Sequence, residues 1–141
     1  MRVVLDPNVL VSGVISPHGP PGRILDALLA GTLTAVYDDR LMSEYREVLL
    51  RPAFGFTRKD VEVLLDSISL TGESVPSNVS AVVLPDPDDL PFLEVAISGG
   101  ADAIVTGNVK HFTPRRGRHP VPIWTPAQLI ARLSRQTDPG I

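Results

Sequence analysis

The chain is 141 residues long, 43% apolar and 21% charged, which fits one globular domain able to bury a core without covalent staples. It has no cysteine, so disulfides, thiolate metal sites and thiol nucleophiles are excluded. Its net charge of −3 means that a nucleic-acid partner must be met by a local basic patch or a metal, not by bulk charge. No apolar run approaches the roughly 18 residues of a membrane span. The opening MRVVLDPNVL, with an acid at position 6, does not read as a secretory leader.

Taken in order, the elements alternate, which predicts an α/β fold with a parallel sheet. Arg2 to Leu5 is a nearly continuous apolar run and reads as a central buried strand. Ser16 to Gly22, rich in proline and glycine, reads as loop. Ile24, Leu25, Leu28 and Leu29 have helical spacing, and Gly31 stops that helix. Leu33 to Tyr37 is a second strand. Asp38 or Asp39 caps a helix with Leu41, Met42, Tyr45, Val48 and Leu49 on its apolar face, ended by Pro52. Thr57 opens another, carrying Val61, Leu64, Leu65 and Ile68. A weak strand around Glu73 to Val75 precedes an acidic, stiff loop, Leu84 to Asp89. Phe92, Leu93, Ala96 and Ile97 make a helix closed by Gly99 and Gly100, and Ala103 to Val105 is a strand. A turn at Thr106 to Asn108 and a basic loop at Arg115 to His119 lead to an edge strand at Val121 to Trp124. Thr125, Pro126 and Gln128 begin a final helix with Leu129, Ile130 and Leu133 inward, and residues 135–141 read as a frayed tail. No repeat or linker divides residues 1–141, which read as one domain.

Four places carry chemistry. Asp6-Pro7-Asn8 follows the first strand, where open α/β sheets bind ligands; the same residues also suit an Asx turn. Glu44 lies on the flank of its helix's apolar arc, at the edge of the core, whereas Glu47 lies opposite that arc in solvent. Asp86, Asp88 and Asp89 repel one another unless a cation or a helix start compensates; Asp89 is placed to cap the following helix, which explains one acid of the three. Thr106-Gly107-Asn108 leaves a second buried strand and offers a turn or oxygen ligands. His18, His111 and His119 lack paired spacing, so zinc is not expected. Hard ions, Mg²⁺ or Mn²⁺, suit this donor set, and carboxylate-held ions of this kind hydrolyse phosphodiesters. Nucleotide-cradling glycine loops and a nucleophilic serine elbow are absent from the sequence.

These residues resemble the PIN domain family. Val4-Leu5-Asp6-Pro7-Asn8-Val9 is similar to its opening motif, Asp89 to Ala96 to its third, and Ile104-Val105-Thr106-Gly107-Asn108 to its fourth. Ser43-Glu44-Tyr45 falls where the family keeps a helical glutamate. The segments Pro20 to Asp26 and Asp86 to Asp89 look like the subgroup of toxin components of toxin–antitoxin systems. The resemblance covers residues 2 to 131. It implies a three-layer α/β/α sandwich with a mostly parallel sheet of about five strands, the first strand central beside the one ending at Val105, so that Asp6 and Asn108 meet at the switch point.

The resemblance further implies a cytoplasmic, usually dimeric, Mg²⁺- or Mn²⁺-dependent endoribonuclease whose cleft a small antitoxin protein blocks. Asp6, Glu44 and Asp89 are then the catalytic acids and metal ligands, with Asn108 at the fourth position, where an acid is more usual. Asn8 and Thr106 order the cluster by hydrogen bonds, and Asp86, Asp88 or Asp102 make up the missing charge, Asp88 competing with Asp89 for the third role. Arg115, Arg116 and Arg118, with His119, form the one dense basic run and are the expected RNA contacts. Two alternatives stand beside this reading: a catalytically weak module that binds RNA or protein, and a nuclease acting on DNA.

Overall fold

The computed structural model describes residues 1–76 and 78–136. In chain order these form β1 (Arg2–Leu5), α1 (Pro7–Ile15), α2 (Pro20–Ala30), β2 (Thr34–Tyr37), α3 (Asp39–Leu49), α4 (Arg58–Thr71), β3 (Glu73–Ser74), α5 (Leu90–Ser98), β4 (Ala103–Val105), β5 (Ile123–Trp124) and α6 (Pro126–Gln136). The strands pair in parallel in the order β3-β2-β1-β4-β5. β1 is central and joins β4 in the register Val3 to Ala103, Val4 to Ile104 and Leu5 to Val105. The expected sandwich is therefore the fold, and its two central strands are apolar from Val3 to Leu5 and from Ala103 to Val105 because both faces are covered.

Right-handed crossovers place α1 to α4 on one face and α5, which returns the chain across the sheet, on the other. The packing agrees. α5 rests directly on β1, β2 and β4, while α1 packs on α2 and α3, α2 on α4 and α6, and α3 on α4. Val4, Leu10, Ile24, Leu41, Leu93 and Ile104 are fully buried in the core between these layers.

Two stretches differ from the sequence reading. α1 was not expected. Its residues PNVLVSGVI are apolar on nearly every side, so no helical stripe stands out, yet Asp6 caps it and Pro7 occupies its first turn. α2 begins at Pro20, inside the expected loop, with Gly19 as its cap and two prolines in its first turn. Three other expected caps match: Asp38 accepts from the Leu41 amide, Thr57 from the Asp60 amide, and Thr125 and Gln128 cap each other reciprocally. β5 is shorter than expected but lies at the sheet edge, and α6 runs through residues 135 and 136; the rest of the expected tail lies outside the described residues. Among the described residues no helix is long and apolar enough to cross a membrane.

Candidate active site

β1 runs one way to β2 and is flanked on its other side by β4, so the carboxyl ends of β1 and β4 form the switch point of the sheet. Asp6 stands there, its backbone amide bonded to the Val105 carbonyl at 2.9 Å, one step beyond the last strand pair. Both oxygens of its carboxylate are fixed. Oδ1 accepts from the Asn8 amide at 3.0 Å and so caps α1; Oδ2 accepts from the Thr106 hydroxyl at 2.7 Å. The Asx-type role and the cleft-facing role thus coexist, and the start of α1 favours the negative charge. Thr106 is fully buried and its Oγ1 accepts in turn from the Asn108 amide at 3.0 Å. Asn8 orders the carboxylate through its backbone, while its side chain is exposed at the cleft.

A cavity of about 230 Å³ opens at this point, lined by Asp6, Asn8, Glu44, Asp86, Asp88 and Asp89 together with Pro7, Val48, Arg51, Phe92 and His111. Glu44 comes from α3 and is half-buried, while Glu47 is exposed, as their places on the helix predict. Asp89 does not cap α5; its side chain makes no capping bond. The acid explained by capping is Asp86, whose Oδ1 accepts from the Asp88 amide at 2.9 Å and opens the 3-10 turn Pro87–Asp89. That turn releases the Asp89 carboxylate toward the cavity. Burial, with Asp86, Asp6 and Asp88 nearby, pushes Asp89 up to about 6, an effect that His111 opposes. Burial raises Glu44 as well, with Glu47 and Asp88 adding to the rise and Arg51 opposing it.

Asn108 does not line this cavity. Its amide nitrogen lies 2.9 Å from His111 Nε2, and the other ring nitrogen of His111, Nδ1, faces Asp89 Oδ2 at 3.8 Å. His111 therefore stands where the sequence placed Asn108. It was missed because the histidines were weighed only as paired zinc ligands; its signal is its position three residues after Asn108, on the short turn Val109–Phe112. Arg51 was also missed, although Glu44, Val48 and Arg51 follow one another at helical spacing and all three line the cavity. Tyr45, placed in the core by its periodicity, carries a polar duty besides. Its hydroxyl, fully buried, donates to the Leu5 carbonyl at 2.7 Å and holds the strand end that presents Asp6.

Asp102 is a correction. It precedes β4 and accepts from the Arg2 amide at 2.8 Å, at the opposite end of the sheet, so it cannot supplement the acids of the cleft. Arg115, Arg116 and Arg118 line no described part of the cavity. Their loop pairs with Val83, three residues before Asp86, so it flanks the segment that carries the acids. His119 is drawn into that loop's own structure, with Nε2 donating to the Phe112 carbonyl and Nδ1 accepting from the Val121 amide.

The donor set suits a hard divalent ion held loosely. Among the described residues no three acids or imidazoles converge closely enough to enclose an ion by themselves. Mg²⁺ and its like need no such cage: they keep several waters and use one or two carboxylates plus substrate oxygens. Asp6, Glu44 and Asp89 are hard oxygen donors around one cavity, and burial first, with neighbouring acids second, raises the last two, a cost of charge that a bound cation would relieve.

Residues 2–110 match a family model described as PIN domain. The chain is 28% identical over 111 residues to the uncharacterized protein MJ1680 of Methanocaldococcus jannaschii, covering 77% of this chain and 71% of that protein. It also superposes on a chain of the crystal structure of VapBC2 from Rickettsia felis bound to a DNA fragment from their promoter. The TM-score is 0.57 at 17% identity, over 89% of this chain and 98% of that one.

Proposed function

The chain belongs to the PIN domain family, whose members are generally nucleases, and from that premise we propose that it is a Mg²⁺- or Mn²⁺-dependent endoribonuclease, the toxin of a toxin–antitoxin pair. The observation that carries this reading is Asp6, held at both carboxylate oxygens at the switch point and sharing one cavity with Glu44 and Asp89. When bound, the ion supplies a water of lowered pKa and neutralises charge on the phosphate. Asp6, Glu44 and Asp89 would hold it. Thr106 and the Asn8 amide keep Asp6 oriented, and the imidazole of His111 stands beside Asp89, 3.8 Å away. The exposed arginines 115, 116 and 118 are read as outer contacts to phosphates along the RNA.

A small antitoxin protein is the proposed partner. A mostly apolar cavity of about 160 Å³ lined by Val14, Leu49, Phe56, Asp60, Val61 and Leu64 is the kind of surface a protein segment covers. A homodimer is proposed as well, and light scattering on the purified chain tests it.

The deciding experiment is calorimetric titration with Mn²⁺ of the wild type and of Asp6→Asn/Asp89→Asn, with far-UV circular dichroism on both. The expected result is binding in the wild type, none in a folded double variant, and loss of RNA cleavage in Asp6→Asn. Normal cleavage by Asp6→Asn, or RNA bound by the wild type without turnover under any divalent ion, would sink the hydrolase reading in favour of a binding module. Parallel cleavage of RNA and DNA substrates separates the two nuclease readings.

A further inference from the structure

A cleft lined by five carboxylates is a poor host for a polyanion unless a cation stands among them. Of the residues lining it, the one lysine or arginine is Arg51, just beyond the end of α3. Arg51 lies within electrostatic reach of Glu44, yet its guanidinium forms no hydrogen bond or ion pair among the described residues. Its side chain has no visible structural duty.

Arg51 also lines a second cavity, of about 410 Å³, which shares Glu44, Arg51, Asp88 and Phe92 with the first. The two cavities therefore join at Arg51 into one groove between α3 and the segment Pro87 to Phe92. Arg40 borders the second cavity too, but Glu94 and Asp38 already pair with it, at 2.9 Å each. An enzyme that cuts an internal phosphodiester must hold chain beyond the scissile bond, and 410 Å³ falls in the range of about 300–1,000 Å³ of pockets that enclose small ligands.

Resting on the nuclease reading, we propose that Arg51 is a phosphate-binding residue, gripping a backbone phosphate next to the scissile one where the polynucleotide passes from the acidic cavity into its neighbour. The guanidinium fork suits a phosphate's paired oxygens. Phe92 is buried and offers no stacking face, so this contact reads backbone and not base.

The test is fluorescence anisotropy with a short fluorescein-labelled single-stranded RNA carrying phosphorothioate linkages, between about 50 and 200 mM salt. Arg51→Ala is compared with the wild type, Arg51→Lys, and Arg115→Ala/Arg116→Ala/Arg118→Ala. Arg51→Ala is expected to bind about tenfold more weakly, equally for different sequences, with a salt slope smaller by about 0.7, and Arg51→Lys to restore the slope. In cleavage assays Arg51→Ala raises KM and leaves kcat within about twofold. Circular dichroism checks the fold, with Arg51→Gln as the substitute variant if the alanine chain does not fold. An unchanged affinity and slope in a folded Arg51 variant, while the wild type still cleaves RNA, overturns this inference alone. A wild type that neither binds nor cleaves RNA overturns the nuclease reading and this inference with it.

Discussion

Asp89 illustrates how a single carboxyl records what the cleft is missing. In the folded chain it ionises near pH 6, against an ordinary value of 3.8, because burial and three neighbouring aspartates disfavour its charge. Below about pH 4 the group is neutral whether the chain is folded or not, and it has no effect on stability. Above about pH 6 it is charged in both states, and folding must crowd that charge against Asp86, Asp6 and Asp88. The metal-free protein should therefore lose stability as pH rises from about 4 to about 6 and stay at the lower level beyond. Asp89→Asn is expected to raise metal-free stability at pH 7 by about 1 kcal/mol, a figure discounted for the solvent that still reaches the group. The gain should vanish near pH 4 and be offset by Mn²⁺, which stabilises the wild type by binding its folded state. Thermal unfolding in a chelator and in Mn²⁺ checks both; an equal gain at every pH would show that burying and crowding the Asp89 charge is not the cause. Tyr45 makes a second case. Tyr45→Phe keeps the ring against Phe92 but strips the Leu5 carbonyl of its donor. Urea unfolding should show a loss of about 1–2 kcal/mol, and a neutral result would mean that water replaces the hydroxyl.

Among the elements, α1 and α2 cross closely, and glycines permit it. A methyl placed at Gly22 would meet the backbone of Pro17, and one at Gly13 would come within 2.7 Å of Leu25 Cδ1. A methyl at Gly13 would also come within 2.8 Å of the Pro21 carbonyl oxygen, and neither that carbonyl nor the Pro17 backbone can turn aside, but the overlap at Gly22, on the Pro17 carbonyl, is the deeper. Gly22→Ala should therefore cost about 2–3 kcal/mol, more than Gly13→Ala, measured by chemical unfolding. An equal or smaller effect at Gly22 would show that the Ser16 to Gly19 loop yields easily. This pair of helices is also where the sequence was least legible. Periodicity shows a helix by contrast between faces, and α1, pressed between the sheet and its neighbours, has little contrast. Asp6 and Pro7 are visible in the sequence, but the aspartate reads there as a ligand site or an Asx turn, and neither reading opens a helix. The same limit misassigned the cap at Asp89: a sequence shows which residues are able to cap, while the 3-10 turn that hands the duty to Asp86 is fixed by local backbone geometry.

At the scale of the whole molecule, the architecture was legible because topology follows from few facts. Two apolar runs, Val3 to Leu5 and Ala103 to Val105, read as buried strands of a parallel sheet, and the resemblance to PIN domains implied that they lie side by side at its centre, as they do. Placing polar residues after those strands located Asp6 and Thr106 correctly. It failed for Asp102 because three residues of strand separate the start of β4 from its end, and the sign of that step decides which face of the molecule a side chain serves. His111 and Arg51 lay beyond the reach of motif spacing. Their relevance comes from two cavities that exist only once α3, the acidic turn and the segment after β4 are packed together.

The bond between Asp6 and Thr106 joins residues a hundred positions apart. During synthesis Asp6 leaves the ribosome a hundred residues ahead of its ordering partner, which follows only after α1 through α5 have been made. The three acids are thus all present in a nascent chain that has no means of aligning them. Pairing β1 with β4 is a late, long-range event, as the loop it closes is nearly the length of the domain. In a chain of this topology the geometry around Asp6 is therefore completed only once β4 and Thr106 have been made, so the site is assembled by the longest-range pairing in the sheet.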